Sequence, residues 1–271
     1  MAFVINMFLV PVLPLLLPSL VTAQAPLTGD VSAVYDLLDR VLPKRGSDHF
    51  HLTLGDCSRN HSKPQHCFRL QDSDDGRLIV TATTASELSA GIGYFLQNYC
   101  NMTIGWPRGG GSNIFIPEKW PTIGADPITK RRIVPWSYLM NVCTHSYSLA
   151  FYDWNQWEAF IDWMSLTGIN LMLALTGQEE VQYKVFSRLG VADKDIRSWF
   201  NGPAFLTWSR GQNEYGSGIC GPLPKSFMKA QWEMQRTRIL PRLRSLGITG
   251  QLPAFQGNVP IQLKAILHDS N

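Results

Sequence analysis

Charge is scarce in this chain. Only 17% of its 271 residues are Asp, Glu, Lys or Arg, and they nearly cancel, at a formal net charge of +3. That balance excludes a protein that holds nucleic acid or an anionic membrane surface by bulk electrostatics. Tryptophan is absent from the first 105 residues, although nine follow. Cysteine is limited to five, an odd number that leaves one thiol over if pairs form. No Gly-x-Ser-x-Gly elbow is present, which removes the common serine-hydrolase arrangement. Beyond the N-terminus no apolar run is long enough to span a bilayer. The run Gly109-Gly110-Gly111 opens no helix, so it is a turn and not a phosphate cradle.

What is present begins with a targeting pattern. Met1 to Val21 holds no charged side chain, and its apolar core carries Pro11, Pro14 and Pro18. Three prolines suit a cleaved signal better than a spanning helix. Val21-Thr22-Ala23 supplies the small residues of an exit site, so residues 1–23 are expected to be a signal peptide, with the mature chain starting near Gln24. A secretory-pathway protein, lysosomal or secreted and without a membrane anchor, is the expectation. The sequons at Asn60 and Asn101 are the corresponding glycosylation candidates. In that oxidising compartment Cys57 and Cys67, on either side of a polar, turn-rich stretch, are the best candidates for a disulfide. Nearby His49, His51, His61 and His66 fit no standard zinc spacing, so neither metal nor cofactor is expected.

Residues 24–132 read as a small α/β domain. Asp30 precedes an amphipathic helix with Val34, Leu37, Leu38 and Val41 on one face. "HFHLTLG" and "RLIVTATT" have strand patterns, Thr84-x-x-Glu87 is a capping box, and "NIFIPE" resembles another strand. "KWPTIGADPITKRR" reads as a linker, with Lys130-Arg131-Arg132 as a solvated boundary. From residue 133 to 271 strands and helices alternate: "WSYLMNVCT", a helix capped by Asp153, "INLMLAL", a long helix interrupted by Pro241, and "GQLPAF". This is the pattern of a parallel α/β architecture. It amounts to the first three or so β/α units of a TIM (β/α)8 barrel, too few for closure. An interior proline costs a helix roughly 3 kcal/mol, so a kink is expected at Pro241.

Function in such a sheet belongs where strands end and βα loops begin. Asn141 and Cys143 follow the first strand of this region, and Gln178 follows the second. Trp208 lies in the aromatic, glycine-rich loop 200–224. Neutral polar groups beside aromatic faces suit a sugar. The adjacent Glu179 and Glu180 invite a catalytic reading, but Thr176-x-x-Glu179 is a capping box, and acidic side chains oppose a helix dipole. Neighbouring helical residues also diverge by about 100°, so the pair cannot easily flank one bond. Trp154, Trp157 and Trp163 are expected to be core residues on a helix face.

"NVCTHSYS", "DWNQWEAFIDWMSLTGINLMLALTGQEE", "GPAFLTW" and "LPAFQGNVP" together resemble the lysosomal α-N-acetylglucosaminidase family. The resemblance implies a small α/β domain, then a (β/α)8 barrel and a helical domain. It implies a retaining glycosidase of heparan sulfate breakdown, with two glutamates as nucleophile and acid/base, no metal, and a glycan ending in N-acetylglucosamine as partner. It places Asn141, Cys143, Tyr147 and Trp208 in the sugar pocket, and Gln178 by its place after the second strand. His145 stands where glutamine is usual, and Asn258 where histidine is usual. Neither family motif bearing a catalytic glutamate is found in these residues, so the chain reads as the front of such an enzyme, without catalytic residues of its own and inactive alone. The alternatives are a non-catalytic secreted carbohydrate-binding protein and an inactive truncated product.

Overall fold

The computed structural model describes residues 28–57, 66–105, 110–200, 202, 223–254 and 257–268. The expected signal segment, Asn60 and Trp208 lie outside them. The described residues form an α/β structure with two sheets. The first elements are α1 (Val31–Val41), β1 (Phe50–Leu54), β2 (Cys67–Asp72), β3 (Leu78–Ala82), α2 (Ala85–Asn98) and β4 (Ile128–Arg131). The four strands pair in the order β1-β3-β2-β4, with β1 parallel to β3 and β2 antiparallel to both of its neighbours. Alternation along β3 buries Leu78, Val80 and Ala82, beneath Leu88 and Ile92 of α2 and Leu37 and Leu38 of α1.

Several expectations are corrected here. "NIFIPE" forms no strand; Asn113 makes a single antiparallel bridge to Thr103. Its alternation reflects one-sided packing of Ile114 and Ile116 on the core. The strand is instead at Ile128–Arg131, inside the expected linker. It is an exposed edge, with Lys130 over the Tyr94 ring at 5.4 Å, and charge on an edge strand is a normal guard against further pairing. Asp30 occupies the N-cap of α1 without a side-chain bond; its amide donates to the Ser245 carbonyl at 2.7 Å. At α2 only half the capping box forms. Thr84 accepts from the Glu87 amide, while the Glu87 carboxylate turns to Arg132.

The second sheet contains β5 (Tyr138–Leu139), β6 (Leu171–Leu173) and β7 (Thr249–Gln251), in that order and all parallel. Between β5 and β6 lie a short turn of helix, α3 (Thr144–Tyr147), and α4 (Trp154–Leu166). Asp153 caps α4 with a reciprocal bond to Gln156. Trp157, Phe160, Ile161 and Met164 of α4 are fully buried, and Trp154 and Trp163 pack against that core from partly buried positions. Between β6 and β7 come α5 (Gln178–Arg188), α6 (Asp193–Trp199) and a long helix. That helix runs as α7 (Lys225–Met234), a π turn (Gln235–Ile239) and α8 (Leu240–Ser245). Pro241 sits in the first turn of α8, directly after the wide π turn. Its missing N–H therefore falls where an α segment begins and costs little. Last comes α9 (Gln262–His268).

The two sheets share one continuous hydrophobic core, from Leu37 and Val80 to Phe160 and Ile248. Besides the Asp30–Ser245 backbone bond, three contacts help to fasten the halves. Gly93 of α2 lies so close to α4 that a Cβ would stand 1.9 Å from the Leu166 carbonyl oxygen, so only glycine permits this approach. Arg132, expected in solvent, is largely buried. It pairs with Glu87 and donates to Ser137 Oγ at 2.7 Å and to the Gly168 carbonyl at 2.6 Å. Arg40 of α1 forks both oxygens of Asp162 in α4, at 2.7 and 2.8 Å. Burial pushes the Asp162 carboxyl above the ordinary carboxylate range even so.

Candidate functional site

Parallel strands in register place their C-terminal ends on one side. Leu139, Met172 and Gly250 share a register line, so Asn141, Thr176 and Pro253 follow on the same edge. Asn170, 1% exposed, fixes this alignment from below. It accepts from the Ser137 amide at 2.7 Å and donates to the Pro135 carbonyl at 2.9 Å.

Asn141 is exposed, and its Oδ1 is already engaged by the Cys143 amide at 2.7 Å. What it offers a ligand is its Nδ2 donor. Cys143 is a half-buried free thiol. Tyr147, at the end of α3, is 67% exposed. His145 is buried against the tilted ring of Trp157.

Gln178 opens α5. Its Oε1 is buried and has no hydrogen-bond partner among the described residues. With Val181, Gln182, Val185, Phe186 and Pro253 it lines a cavity of about 250 Å3. An orphaned buried acceptor is costly unless a ligand or water supplies a donor. Of the four expected sugar contacts among the described residues, Gln178 lines this cavity, while Asn141, Cys143 and Tyr147 do not.

The expected capping box at Thr176 is absent. Gly177 is the N-cap, at φ 78°, and no side chain caps the helix. Glycine is needed there twice over, because a Cβ would also meet the Trp232 backbone at 2.6 Å. The dipole argument stands, since Glu179 and Glu180 fill the first turn. Glu179 is 2% exposed, and Glu180 pairs with Lys184 at 3.1 Å. Sequence reasoning missed Gln235. It is 1% exposed, sits on the π turn, and donates to the Ala174 carbonyl at 3.0 Å. Only the odd position of Pro241 hinted that this helix is irregular.

Cys57 and Cys67 form a disulfide, with Cα atoms 6.1 Å apart. The thiols are thus unavailable to a metal, and no group of three metal-ligating side chains occurs among the described residues. His49 stacks on Trp120 at 4.2 Å and 3°, and burial lowers its pKa to about 4. Asn101 is exposed, at φ 54°, with the backbone of Thr103 in its sequon held by Asn113. No helix of the described residues is long and apolar enough to cross a membrane.

A small mixed α/β layer packed on the first three β/α units of a TIM-type barrel is the class that this geometry defines. Two consecutive profiles of one family match the chain. The "Alpha-N-acetylglucosaminidase (NAGLU) N-terminal domain" matches residues 32–122, and the "Alpha-N-acetylglucosaminidase (NAGLU) tim-barrel domain" matches residues 137–271. The chain belongs to the α-N-acetylglucosaminidase family. It is 39% identical over 184 residues to the Homo sapiens alpha-N-acetylglucosaminidase, across 68% of this chain and 24% of that protein. Among solved structures it is similar to a Clostridium perfringens family 89 glycoside hydrolase in complex with its substrate GlcNAc-alpha-1,4-galactose, with two glutamates changed to glutamine. The TM-score is 0.80 and the identity 31%, over 88% of this chain and 26% of that one. The Clostridium perfringens family 89 hydrolase in complex with 2-acetamido-1,2-dideoxynojirmycin matches with TM-score 0.79 and 30% identity, again over 88% and 26%. The chain therefore spans about a quarter of the length of these relatives.

Proposed function

We propose that this chain is the sugar-recognising front of an α-N-acetylglucosaminidase-type glycosidase, dividing near residue 132 into an N-terminal α/β domain and the start of the barrel. The observation that carries the reading is the buried, unpartnered Gln178 Oε1 beside an apolar wall at the C-terminal edge of the parallel sheet. An acetamido group matches both features, with an N–H for the oxygen and a methyl for Val181, Val185 and Pro253. Asn141 Nδ2 and the exposed Tyr147 ring then serve sugar hydroxyls and the sugar face, and Trp208 is assigned to the same role from its motif. Such contacts hold the anomeric carbon in place for reaction.

The chemistry of the whole enzyme is retaining hydrolysis of a terminal N-acetylglucosamine, of the kind required in heparan sulfate breakdown. It needs two carboxyl groups about 5–5.5 Å apart, one attacking and one moving the proton. The substrate-bound relative carries glutamine in place of two glutamates, which fits that chemistry. We assign neither role to Glu179 or Glu180. They are neighbours in one helical turn and point apart. Entry to the secretory pathway through residues 1–23, glycosylation at Asn60 and Asn101, and a lysosomal or extracellular destination belong to the same proposal.

Titration of the purified chain with 2-acetamido-1,2-dideoxynojirmycin, followed by NMR, tests the site. Binding that Gln178→Ala weakens by about tenfold, the usual value of one buried hydrogen bond, supports it. Binding unaffected by Gln178→Ala would move recognition elsewhere.

A further inference from the structure

The turn that leads from β6 into α5 is weakly held by its own bonds. The backbone bond inside it, from the Gln178 amide to the Leu175 carbonyl, is long at 3.4 Å, and no side chain caps α5. Yet Ala174, Leu175 and Thr176 are buried, and the turn delivers Gln178. The long helix supplies the missing hold. Gln235 Nε2 donates to the Ala174 carbonyl at 3.0 Å. Nearly one turn earlier, the Trp232 backbone lies so close to Gly177 that a Cβ there would stand 2.6 Å away. Positions three apart share a helix face, so one face of this helix grips the turn at both ends, just before Gln178. The Gln235 amide can face only one way, because a carbonyl needs a donor and only Nε2 is one. Its Oε1 is left buried and without a partner among the described residues. An orphaned acceptor is unfavourable, so methionine would suit this position better if packing were the only demand. The helix is also irregular here. The Leu240 amide bonds to the Gln235 carbonyl, which opens the π turn, and such turns are frequent at functional positions.

We propose that Gln235 is a positioning residue for sugar recognition, setting the turn that places Gln178. It touches no substrate and acts through the Ala174 carbonyl. The proposal rests on the assignment of the sugar to Gln178 and extends it to the residue that holds the site in shape. A recognition group fixed before the ligand arrives loses little freedom on binding, which favours affinity.

Two readouts on the full chain test it: the side-chain amide resonance of Gln178 in proton–nitrogen correlation spectra without ligand, and titration with 2-acetamido-1,2-dideoxynojirmycin. Gln235→Met should move that resonance and weaken binding about fivefold, the usual effect of one hydrogen bond. Gln235→Asn, which keeps the amide but shortens its reach by one methylene, should act in the same direction and replaces Gln235→Met if that variant does not fold. Ile239→Val trims a fully buried side chain at the end of the same π turn. It should lower stability in denaturant and leave both readouts unchanged. Because Gln235 acts through Gln178, their effects should not add. Gln235→Met combined with Gln178→Ala should bind within about twofold of Gln178→Ala alone. An unmoved Gln178 resonance in Gln235→Met would overturn the proposal, whatever happens to binding. Additive losses, or equal losses from Ile239→Val, would make Gln235 a packing residue and overturn it as well. Binding that Gln178→Ala leaves unaffected, with the Gln178 resonance still dependent on Gln235, would overturn the sugar assignment and the recognition role of Gln235 with it, while the hold on the turn stands.

Discussion

The strands of the four-stranded sheet run five, six, five and four residues, while those of the three-stranded sheet run two, three and three. The first sheet is mixed, a short turn joins β2 to its antiparallel neighbour β3, and a disulfide ties the start of β2 to Cys57, just past β1. The second is wholly parallel and depends on long helical crossovers for its order. Its stability is borrowed through α4 from the shared core. The comparison teaches where each region is vulnerable: the first within itself, the second at the joint between them.

The largest effect should therefore come from the joint. Arg132→Ala leaves Glu87, 3% exposed, as an uncompensated buried carboxylate and should cost about 3–5 kcal/mol. Denaturant unfolding measures the loss, and hydrogen exchange should show β5–β7 loosening before β1–β4. Cys57→Ser acts inside the first region and should cost about 2–4 kcal/mol in the same assay. Here exchange should rise first around β1 and β2, the reverse order. Gly93→Ala forces α2 and α4 apart and should cost about 1–3 kcal/mol. If it costs nothing, the helices are not held at this distance and the shared core is looser than described.

The smallest effect is one of pH. His49 has a folded pKa of about 4, below its ordinary 6.5, because its ring is buried beside Trp120 and Phe95. Between those values the unfolded chain takes up a proton and the folded chain does not. The stability due to His49 is thus complete above pH 6.5 and is lost as pH falls toward 4. His49→Phe keeps the stack and should flatten the acid-side decline relative to the parent, with little change at neutral pH. Thermal unfolding of both proteins between pH 7 and 4 reads the difference.

Much of this was legible in the sequence, for reasons that differ by element. α4 declared itself through Asp153 and the spacing of Trp157, Ile161 and Met164, since a cap and an apolar stripe are local facts. The core strand of "INLMLAL" was plain from its unbroken apolar run. β4 was not, because an exposed edge strand carries charge and looks like a linker. Arg132 was misread because burial of a charge depends on partners 45 and 36 residues away in sequence, which no local pattern shows. The same limit applied at Gly177. Thr176-x-x-Glu179 satisfied the local signature of a cap, but the close approach of the Trp232 backbone, far along the chain, fixed the N-cap one residue later. In the candidate site, strand order brought Asn141 and Gln178 to one edge as expected, whereas the orphaned Oε1 and its cavity emerged only from packing with Pro253.

The central claim is recognition without the reacting carboxylates, and one assay addresses it most directly: release of the chromophore from an aryl α-N-acetylglucosaminide at acidic pH by the purified 271-residue chain. The account predicts no turnover above background, with Glu179→Gln indistinguishable from the parent. Turnover by this chain that Glu179→Gln abolishes without unfolding it would contradict the account.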